Sequence, residues 1–176
     1  MSTPGSSFFP LLITERLTLR KLSIEDQKDI LALRSDPVIN MYLGRQPAIT
    51  IEDAADFIHK VNENIEKNIA LYWAITLTET KTFVGTICLY NFSREENSCE
   101  TGYELMTEFQ GQGIMKEAAA VVFDFAFQTL KFNKILAFTH KDNSNSTRLL
   151  AKFGFVKSDE PDKDNPDLYC FCFQNS

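Results

Sequence analysis

Two glycines, Gly111 and Gly113, lie between a run of β-forming residues and the most strongly patterned helical segment of the chain. Glycine lets the backbone turn tightly with successive N–H groups on one side. The first N–H groups of a helix have no partner within the helix, and the helix dipole adds partial positive charge there. A strand, a Gly-x-Gly turn and a helix therefore predict an anion site suited to a pyrophosphate, to which Lys116 would add a cation.

The segment Glu108-Phe-Gln-Gly-Gln-Gly-Ile-Met-Lys116 also fits an ordinary tight turn followed by a solvated lysine, and these residues alone leave both interpretations open. The segment is not the dinucleotide fingerprint, because Lys116 stands where that pattern has a third glycine. It is not a P-loop either, because no Gly-Lys-Ser/Thr follows. A nucleotide-sugar or dinucleotide enzyme is therefore not expected.

The charge of the chain excludes one class of partner. Its 176 residues include 18 Lys and Arg against 24 Asp and Glu, which gives a formal net charge of -6. A nucleic-acid surface requires clustered cations, so we expect no nucleic-acid partner. A cationic substrate such as an amine suits the negative field better.

The cysteines and histidines predict no metal site. The four cysteines form no C-x-x-C pair, and with only two histidines no zinc-ligand spacing can be assembled. Cys170 and Cys172 share one face of a predicted strand, and we interpret all four cysteines as free thiols in a reducing compartment. The sequence shows no signal-peptide pattern and no run of about 18 apolar residues, so we expect a cytoplasmic protein with no membrane partner.

Apolar periodicity predicts the elements that must position these residues. The length fits one domain, which we assign to residues 11–176 after a disordered tail at residues 1–10. The predicted order is a strand, two helices, a meander of three strands, and then helix, strand, helix, strand, strand. This order predicts an α/β or α+β domain with a mixed sheet and helices on its faces. The predicted strands are 16–21, 72–78, 83–91, 99–106, 135–139, 155–156 and 168–173, and the predicted helices are 23–34, 51–68, 114–130 and 145 or 146 to 153.

Phenylalanine supplies much of the expected core, with 15 residues against a single tryptophan. The helix over 114–130 has one broad apolar face, predicted to consist of Ile114, Ala118, Val121, Val122, Phe125, Ala126 and Leu130. Phe123, Phe125, Phe127, Phe153 and Phe155 are predicted to be packing residues.

Three stretches resemble the GNAT acetyltransferases and, within them, the branch of ribosomal-protein N-acetyltransferases (RimJ/RimL-like). The opening strand of that branch is similar to Thr14-Glu-Arg-Leu-Thr-Leu-Arg20. Its acetyl-CoA motif is similar to Glu100-Thr-Gly-Tyr-Glu-Leu105 followed by Phe109-Gln-Gly-Gln-Gly-Ile-Met115. Its next cofactor segment is similar to Asn143-Ser-Asn-Ser146 followed by Leu149-Leu-Ala-Lys-Phe-Gly-Phe155. The matching spacing runs from about residue 12 to residue 157.

The resemblance implies a mixed, mostly antiparallel twisted sheet of six to seven strands with four helices on its faces. The end of the strand over 100–106 is expected to splay from the strand over 135–139. The implied cofactor is acetyl-CoA, with its pantetheine arm in that cleft beside Leu105 and Met106, where it pairs like an added strand. The residues implied to hold the pyrophosphate are Gln110, Gly111, Gln112, Gly113, Ile114, Met115 and Lys116.

Further along the cleft, the resemblance places Asn143 and Ser146 on the thioester side. Lys152 either reaches the nucleotide phosphate or lies on the helix surface. The implied reaction is direct attack of an amine on the thioester in a ternary complex. It requires a neutral amine, an oxyanion donor and a proton for the departing thiolate.

The source of that proton differs from the pattern common in the family. Many GNAT enzymes use a tyrosine in the last helix, but the matching position here is Leu150. The ribosomal-protein branch has a serine upstream, which corresponds to Ser146, and this residue could also cap the helix. Glu100 and Glu104 share one face of their strand and are the first and second candidates for the general base. His140 is a third candidate, and removal of the proton by water remains open.

Two functions of different class remain open. One is an N-acetyltransferase for a primary amine, either a protein N-terminus or a small amine. The other is a non-catalytic acyl-CoA-binding module, for which the absence of the tyrosine leaves room. The acceptor groove is expected from residues 40–50, the helix over 51–68 and the acidic loop over 158–167, whose carboxylates would attract a cation. Either a monomer or a homodimer is compatible with the sequence.

Overall fold

The structure, a computed structural model, describes residues 9–175. Its strands are β1 (Leu12–Ile13), β2 (Leu17–Lys21), β3 (Leu71–Leu77), β4 (Phe83–Ser93), β5 (Ser98–Leu105), β6 (Lys134–His140), β7 (Val156–Pro161) and β8 (Leu168–Gln174). Its α-helices are α1 (Gln27–Ser35), α2 (Pro37–Asn40), α3 (Ile51–Glu66), α4 (Ile114–Gln128) and α5 (Ser144–Phe153).

All eight strands form one sheet in the order β1-β2-β3-β4-β5-β6-β8-β7. The β5–β6 pair is parallel, and the other neighbouring pairs are antiparallel. Because α4 follows β5 and α5 follows β6, both helices begin near the carboxyl ends of the two parallel strands. The mixed, mostly antiparallel α/β fold predicted from the sequence is confirmed.

The number of elements is larger than predicted, with eight strands instead of six to seven and five α-helices instead of four. The additional helix α2 begins at Pro37, shortly after the end of the helix predicted over 23–34. Proline suits the first position of a helix, and the Asp36 side chain accepts hydrogen bonds from the next two N–H groups. β7 continues to Pro161, although the sequence predicted a loop from residue 158. Its side chains are nearly all exposed at the sheet edge, so it lacks the apolar alternation that marks a strand.

The start of the chain is tied to the sheet by Trp73. The Trp73 indole N–H donates to the carbonyl of Pro10 at 2.8 Å, and the Phe9 ring lies 5.8 Å from the Trp73 ring. The remaining part of the expected N-terminal tail, residues 1–8, lies outside the described residues. Within residues 9–175, no helix is long and apolar enough to cross a membrane.

The sheet separates two apolar cores. On one face, α4 and α5 pack over a large core that includes Leu19, Trp73 and Leu150. On the other face, α1 and α3 pack over a smaller core that includes Ile30 and Ile58. The helix predicted over 51–68 is present as α3, and the side chains of Thr50 and Asp53 form a reciprocal cap at its start.

The buried face of α4 is rotated from the predicted one. Phe123 is 2% exposed and its ring packs against those of Phe153 and Phe155, whereas Phe125 is only partly buried beside Trp73. The helix is apolar on most of its circumference, so periodicity alone does not fix which side faces the sheet. Its buried residues are Ile114, Met115, Ala118, Ala119, Val122, Phe123, Ala126 and Phe127.

This orientation predicts unequal effects of two truncations in α4. Phe123→Ala should lower the free energy of unfolding by about 3–5 kcal/mol, because it leaves a cavity where a buried ring packs against Phe153 and Phe155. Phe125→Ala should cost less, because part of its ring already contacts solvent. Urea unfolding of both variants measures the difference, and a larger loss for Phe125→Ala would show that the helix is oriented differently.

Candidate functional site

The sheet opens between β5 and β6. The two strands pair at three positions, Ser98–Glu100 against Lys134–Leu136, and the pairing ends there. Beyond this point β5 continues to pair with β4 as far as Leu105, and β6 continues to pair with β8 as far as His140. The expected splay is therefore present, and backbone groups along the two facing edges are available to an extended ligand.

A cavity of about 770 Å³ lies at this opening, within the size range of small-molecule sites. Four parts of the chain line it: α2 with the loop after it, the end of β5, the glycine turn with the start of α4, and one side of α5 with the residue before it. The lining residues are Val38, Ile39, Met41, Tyr42, Leu43, Tyr103, Glu104, Leu105, Gln110, Gly111, Gly113, Ile114, Met115, Lys116, Asn143, Asn145, Ser146, Arg148, Leu149 and Lys152.

Most of the predicted site residues meet at this cavity, but Glu100, Met106 and Gln112 are not among its lining residues. Met106 packs against the smaller core, and the Gln112 side chain donates to the Glu108 carbonyl at 3.1 Å. Glu100 lies opposite Leu136, where β5 and β6 are still paired. The predicted residues that line the cavity are Glu104, Leu105, Gln110, Gly111, Gly113, Ile114, Met115, Lys116, Asn143, Ser146 and Lys152.

The glycine turn has the backbone that its sequence predicts. Gly111 and Gly113 have φ angles of 76° and 75°, in the left-handed region that other residues rarely adopt. Gly113 is the residue before α4 and has no side chain to accept hydrogen bonds from the first turn. Because Ile114, Met115 and Lys116 line the cavity, this helix start lies at the cavity wall.

A group of side chains from the β1–β2 turn holds the glycine turn from outside. The Glu117 carboxylate accepts from the Thr14 hydroxyl at 2.5 Å, from the Arg16 backbone N–H at 2.9 Å and from Arg16 Nε at 2.7 Å. Arg16 Nη1 donates to the Gln112 carbonyl at 3.0 Å. Burial acts to raise the pKa of Glu117, but the hydrogen bonds from Thr14 and Arg16 outweigh it and lower the pKa below its ordinary value. The carboxylate is therefore ionised at neutral pH.

Ser146 is not the helix cap that the sequence allowed. The helix α5 begins at Ser144, and the Asn143 side chain caps it by accepting from the Ser146 N–H at 3.3 Å. The Ser146 hydroxyl instead shares a hydrogen bond of 2.8 Å with the hydroxyl of Tyr103. Burial raises the pKa of Tyr103 to about 12, although the bond to Ser146 acts in the opposite direction. The Tyr103 hydroxyl is therefore protonated at neutral pH, and either hydroxyl can be the donor in this bond.

Sequence reasoning missed Tyr103, although the residue lies within the quoted stretch Glu100–Leu105. Strand alternation was the available signal. It places Tyr103 and Glu104 on opposite faces of β5, so a search confined to the face of Glu100 and Glu104 leaves Tyr103 out. Leu150, the position where the family often has a tyrosine, is fully buried in the larger core. Its neighbour Leu149 lines the cavity instead.

Glu104 lines the cavity and forms an ion pair with Arg45. Arg45 lies in the loop after α2, and its Nε also donates to the Asn40 side-chain oxygen at 2.8 Å. The side chain of Glu104 is 11% exposed, and that of Arg45 is 23% exposed. The charge of this candidate base is therefore neutralised by a partner 59 residues away in sequence, which no local pattern could have indicated.

His140, the third candidate base, lies beside the cavity rather than in its lining. Its ring packs against that of Tyr42, with 5.0 Å between the centroids. Its Nδ1 accepts a hydrogen bond from the Asp142 backbone N–H at 3.1 Å. The ring orientation of His140 is thus fixed by a hydrogen bond within the turn that follows β6.

Comparisons with known proteins show what this arrangement is similar to. Residues 16–156 match a family described as an acetyltransferase (GNAT) domain. The uncharacterised N-acetyltransferase p20 of Bacillus licheniformis is 34% identical over 147 residues, covering 83% of this chain and 82% of that protein. The uS5-alanine N-acetyltransferase of Escherichia coli, which is named for a ribosomal protein, is 29% identical over 98 residues, covering 55% of this chain and 50% of that protein.

A solved structure with the same fold is the spermidine N-acetyltransferase of Vibrio cholerae in complex with CoA and spermine. It superposes with a TM-score of 0.79 at 21% identity, over 92% of this chain and 96% of that one. The likeness at this identity shows the shared fold.

The ion pair at the cavity wall predicts a specific pattern of stabilities. Arg45→Met should lower the free energy of unfolding by about 3 kcal/mol, because it leaves the Glu104 carboxylate buried without its partner. The double variant Arg45→Met/Glu104→Met should be more stable than the single variant, because no unpaired charge remains. Urea unfolding compares the two proteins. A double variant less stable than Arg45→Met would contradict the paired arrangement.

Proposed function

The chain belongs to the GNAT family of acetyltransferases, and from that premise we propose that it transfers an acetyl group from acetyl-CoA to a primary amine within a ternary complex. One observation carries the proposal: a glycine turn and a helix N-terminus open onto the gap between β5 and β6. A thioester donor with a pyrophosphate at one end and an amide-containing arm fits both features.

The donor would be bound along the cavity lining. The N–H groups from Gly111 to Lys116 would bind the pyrophosphate, and Lys116 would contribute a positive charge. The free edges of β5 and β6 would pair with the amide groups of the pantetheine arm. Asn143 and Ser146, at the start of α5, would lie near the thioester.

In the proposed reaction, the amine nitrogen bonds to the acetyl carbon and the carbon–sulfur bond breaks. The sulfur leaves as a thiolate that takes up a proton, and the amine loses one. Ser146 would donate to the sulfur as its negative charge develops. Tyr103, which is neutral at physiological pH, would hold the Ser146 hydroxyl in place.

Of the three candidate bases, Glu104 lines the cavity, whereas Glu100 and His140 are not among its lining residues. Because Arg45 neutralises Glu104, we propose that Glu104 accepts a hydrogen bond from the amine and orients it. The amine proton would then pass to water.

The side of the cavity formed by α2 and the loop after it supports an acceptor with an apolar body and one amine. Val38, Ile39, Met41 and Leu43 line this side together with Tyr42. The acidic residues expected to attract a cation, from the helix over 51–68 and the segment over 158–167, are not among the lining residues that the structure describes. A polyamine carries several positive charges, and this lining offers them few carboxylates. We therefore favour a peptide N-terminus, the kind of acceptor named for the Escherichia coli relative, over the polyamine named for the Vibrio cholerae structure.

The four free cysteines support a reducing compartment, and we propose the cytoplasm. A turnover measurement distinguishes an enzyme from the alternative, a non-catalytic acyl-CoA-binding module. A module would bind acetyl-CoA yet release no CoA thiol with any peptide or small amine.

Binding at the glycine turn predicts a stability gain that one substitution removes. Acetyl-CoA at about 100 times its Kd should raise the free energy of unfolding by about 2.7 kcal/mol. Gly113→Val puts a β-branched side chain at a φ of 75°, where the backbone must approach phosphate, so the gain should vanish. Unfolding curves with and without acetyl-CoA measure it.

Gly154→Ala is the matched control, because Gly154 also has a positive φ, of 89°, but ends α5 outside the turn. This variant should lose stability and keep the gain from the ligand. A folded Gly113→Val protein that keeps the full gain would contradict the pyrophosphate assignment.

Turnover should depend on the hydroxyl pair in the cavity. Ser146→Ala should lower kcat by about 10²–10⁴-fold, the range for loss of a general acid, while the Kd for acetyl-CoA changes little. Tyr103→Phe should also lower kcat, because the Ser146 hydroxyl is no longer held. Steady-state kinetics with the best peptide or amine acceptor provide both values.

Ser144→Ala provides the control in the same helix, since Ser144 is not among the cavity-lining residues, and its kcat should stay near the wild-type value. If Ser146→Ala keeps the wild-type kcat, the proton on the thiolate comes from water or another group.

A further inference from the structure

The opening stretch Thr14–Arg20 has no part in the function proposed above, yet Arg16 contacts the glycine turn directly. We propose that Arg16 is a positioning residue: held by Glu117, it fixes the peptide between Gln112 and Gly113 and so sets the affinity for the pyrophosphate half of the donor. This inference rests on the proposed use of acetyl-CoA.

The direction of the Gly113 N–H follows from the bond that Arg16 makes. The peptide bonds within residues 9–175 are trans, so the Gln112 carbonyl and the Gly113 N–H point in opposite directions. Arg16 Nη1 holds that carbonyl at 3.0 Å on the outer side of the turn. The N–H is thereby directed away from Arg16, toward the side where an anion would bind.

The peptide between Gln112 and Gly113 needs a contact from outside the turn to fix its orientation, because the local sequence does not restrict it. Gly111 and Gly113 flank Gln112, and glycine has more backbone conformations available than any other residue. If the turn were not restrained, ordering its backbone on binding would cost conformational entropy, and the affinity for the ligand would be lower. A hydrogen bond from a charged donor is among the stronger ways to order it in advance.

Glu117 in turn fixes Arg16. Its carboxylate binds the Thr14 hydroxyl, the Arg16 backbone N–H and Arg16 Nε, at 2.5, 2.9 and 2.7 Å. The Thr14 hydroxyl also accepts from the Leu17 N–H at 3.0 Å, which holds the β1–β2 turn in shape. Two sets of contacts therefore meet at one guanidinium, one from the helix and one from the glycine turn.

Charge gives Arg16 a second effect. A carboxylate in the first turn of α4 is favourable to the helix dipole but repels an anionic ligand at the same helix end. The ion pair with Arg16 neutralises the Glu117 carboxylate within the fold. The start of α4 then keeps its attraction for phosphate.

The test compares two ligands, CoA and pantetheine, the second of which has the arm but no pyrophosphate. Arg16→Gln should weaken CoA binding by about tenfold or more, the effect expected for one lost charge-assisted hydrogen bond. Its affinity for pantetheine should stay within about twofold of the wild-type value. In steady-state kinetics, KM for acetyl-CoA should rise while kcat stays near its wild-type value.

Two further variants make the result decisive. Arg20→Gln breaks an ion pair between β2 and Asp26, 2.7 Å long and away from the glycine turn, and should cost stability while leaving the ratio of the two affinities unchanged. Glu117→Gln keeps an acceptor for Thr14 but releases the guanidinium, so it should reproduce the CoA-specific loss even if Arg16→Gln does not fold.

An equal loss for both ligands, or no loss for CoA, would overturn the role proposed for Arg16 and leave the proposed use of acetyl-CoA intact. A wild-type protein that binds neither ligand would overturn the proposed donor and this inference with it.

Discussion

The separation of β5 from β6 is the constraint on which the rest of the structure depends. A gap in the middle of an eight-stranded sheet leaves backbone N–H and C=O groups without their usual partners, which is unfavourable unless something else binds them. Each strand is held by backbone pairing with its other neighbour, which is β4 for β5 and β8 for β6. The gap is therefore a feature of the fold, and the helix starts of α4 and α5 lie at its mouth.

The positions of the two cores follow from the same arrangement. α4 and α5 pack on one face of the sheet, and α4 returns the chain across the gap from β5 to β6. One side of each helix lines the cavity, and other residues of both helices are buried in the larger core. Leu150 shows this division of roles, since it is fully buried one position after Leu149, which lines the cavity. A tyrosine at position 150 would require the core to be repacked. In the proposed function, the hydroxyl near the sulfur comes instead from Ser146, supported across the gap by Tyr103.

The sequence predicted those parts of the fold that local patterns encode. The helix predicted over 51–68, the glycine turn and the β-α-β order are all present, because each depends on neighbouring residues. β7 was missed after residue 157 because an edge strand with exposed polar side chains lacks apolar alternation. The orientation of α4 was missed because a helix that is apolar on most sides has no single face.

The contacts that complete the candidate site could not have been predicted in this way. Arg45 reaches Glu104 across 59 residues, and Arg16 reaches Gln112 across 96. Such pairs depend on how the elements pack, and no periodicity in the sequence reports them. The same holds for the bond between Tyr103 and Ser146, across 43 residues. Residue types and spacing therefore indicated where the cavity lies, but not how its charges are paired.

The most direct test of this account is a titration of the protein with acetyl-CoA, followed by backbone amide NMR. The account predicts that the largest shifts fall on the amides of Gly111 to Lys116 and on the facing edges of β5 and β6. Smaller shifts are expected at the second, smaller cavity of about 230 Å³, which Tyr72 and Cys88 help to line on the other side of the sheet. Saturable shifts confined to that second cavity, with the glycine turn unaffected, would contradict the assignment of the β5–β6 gap as the donor site.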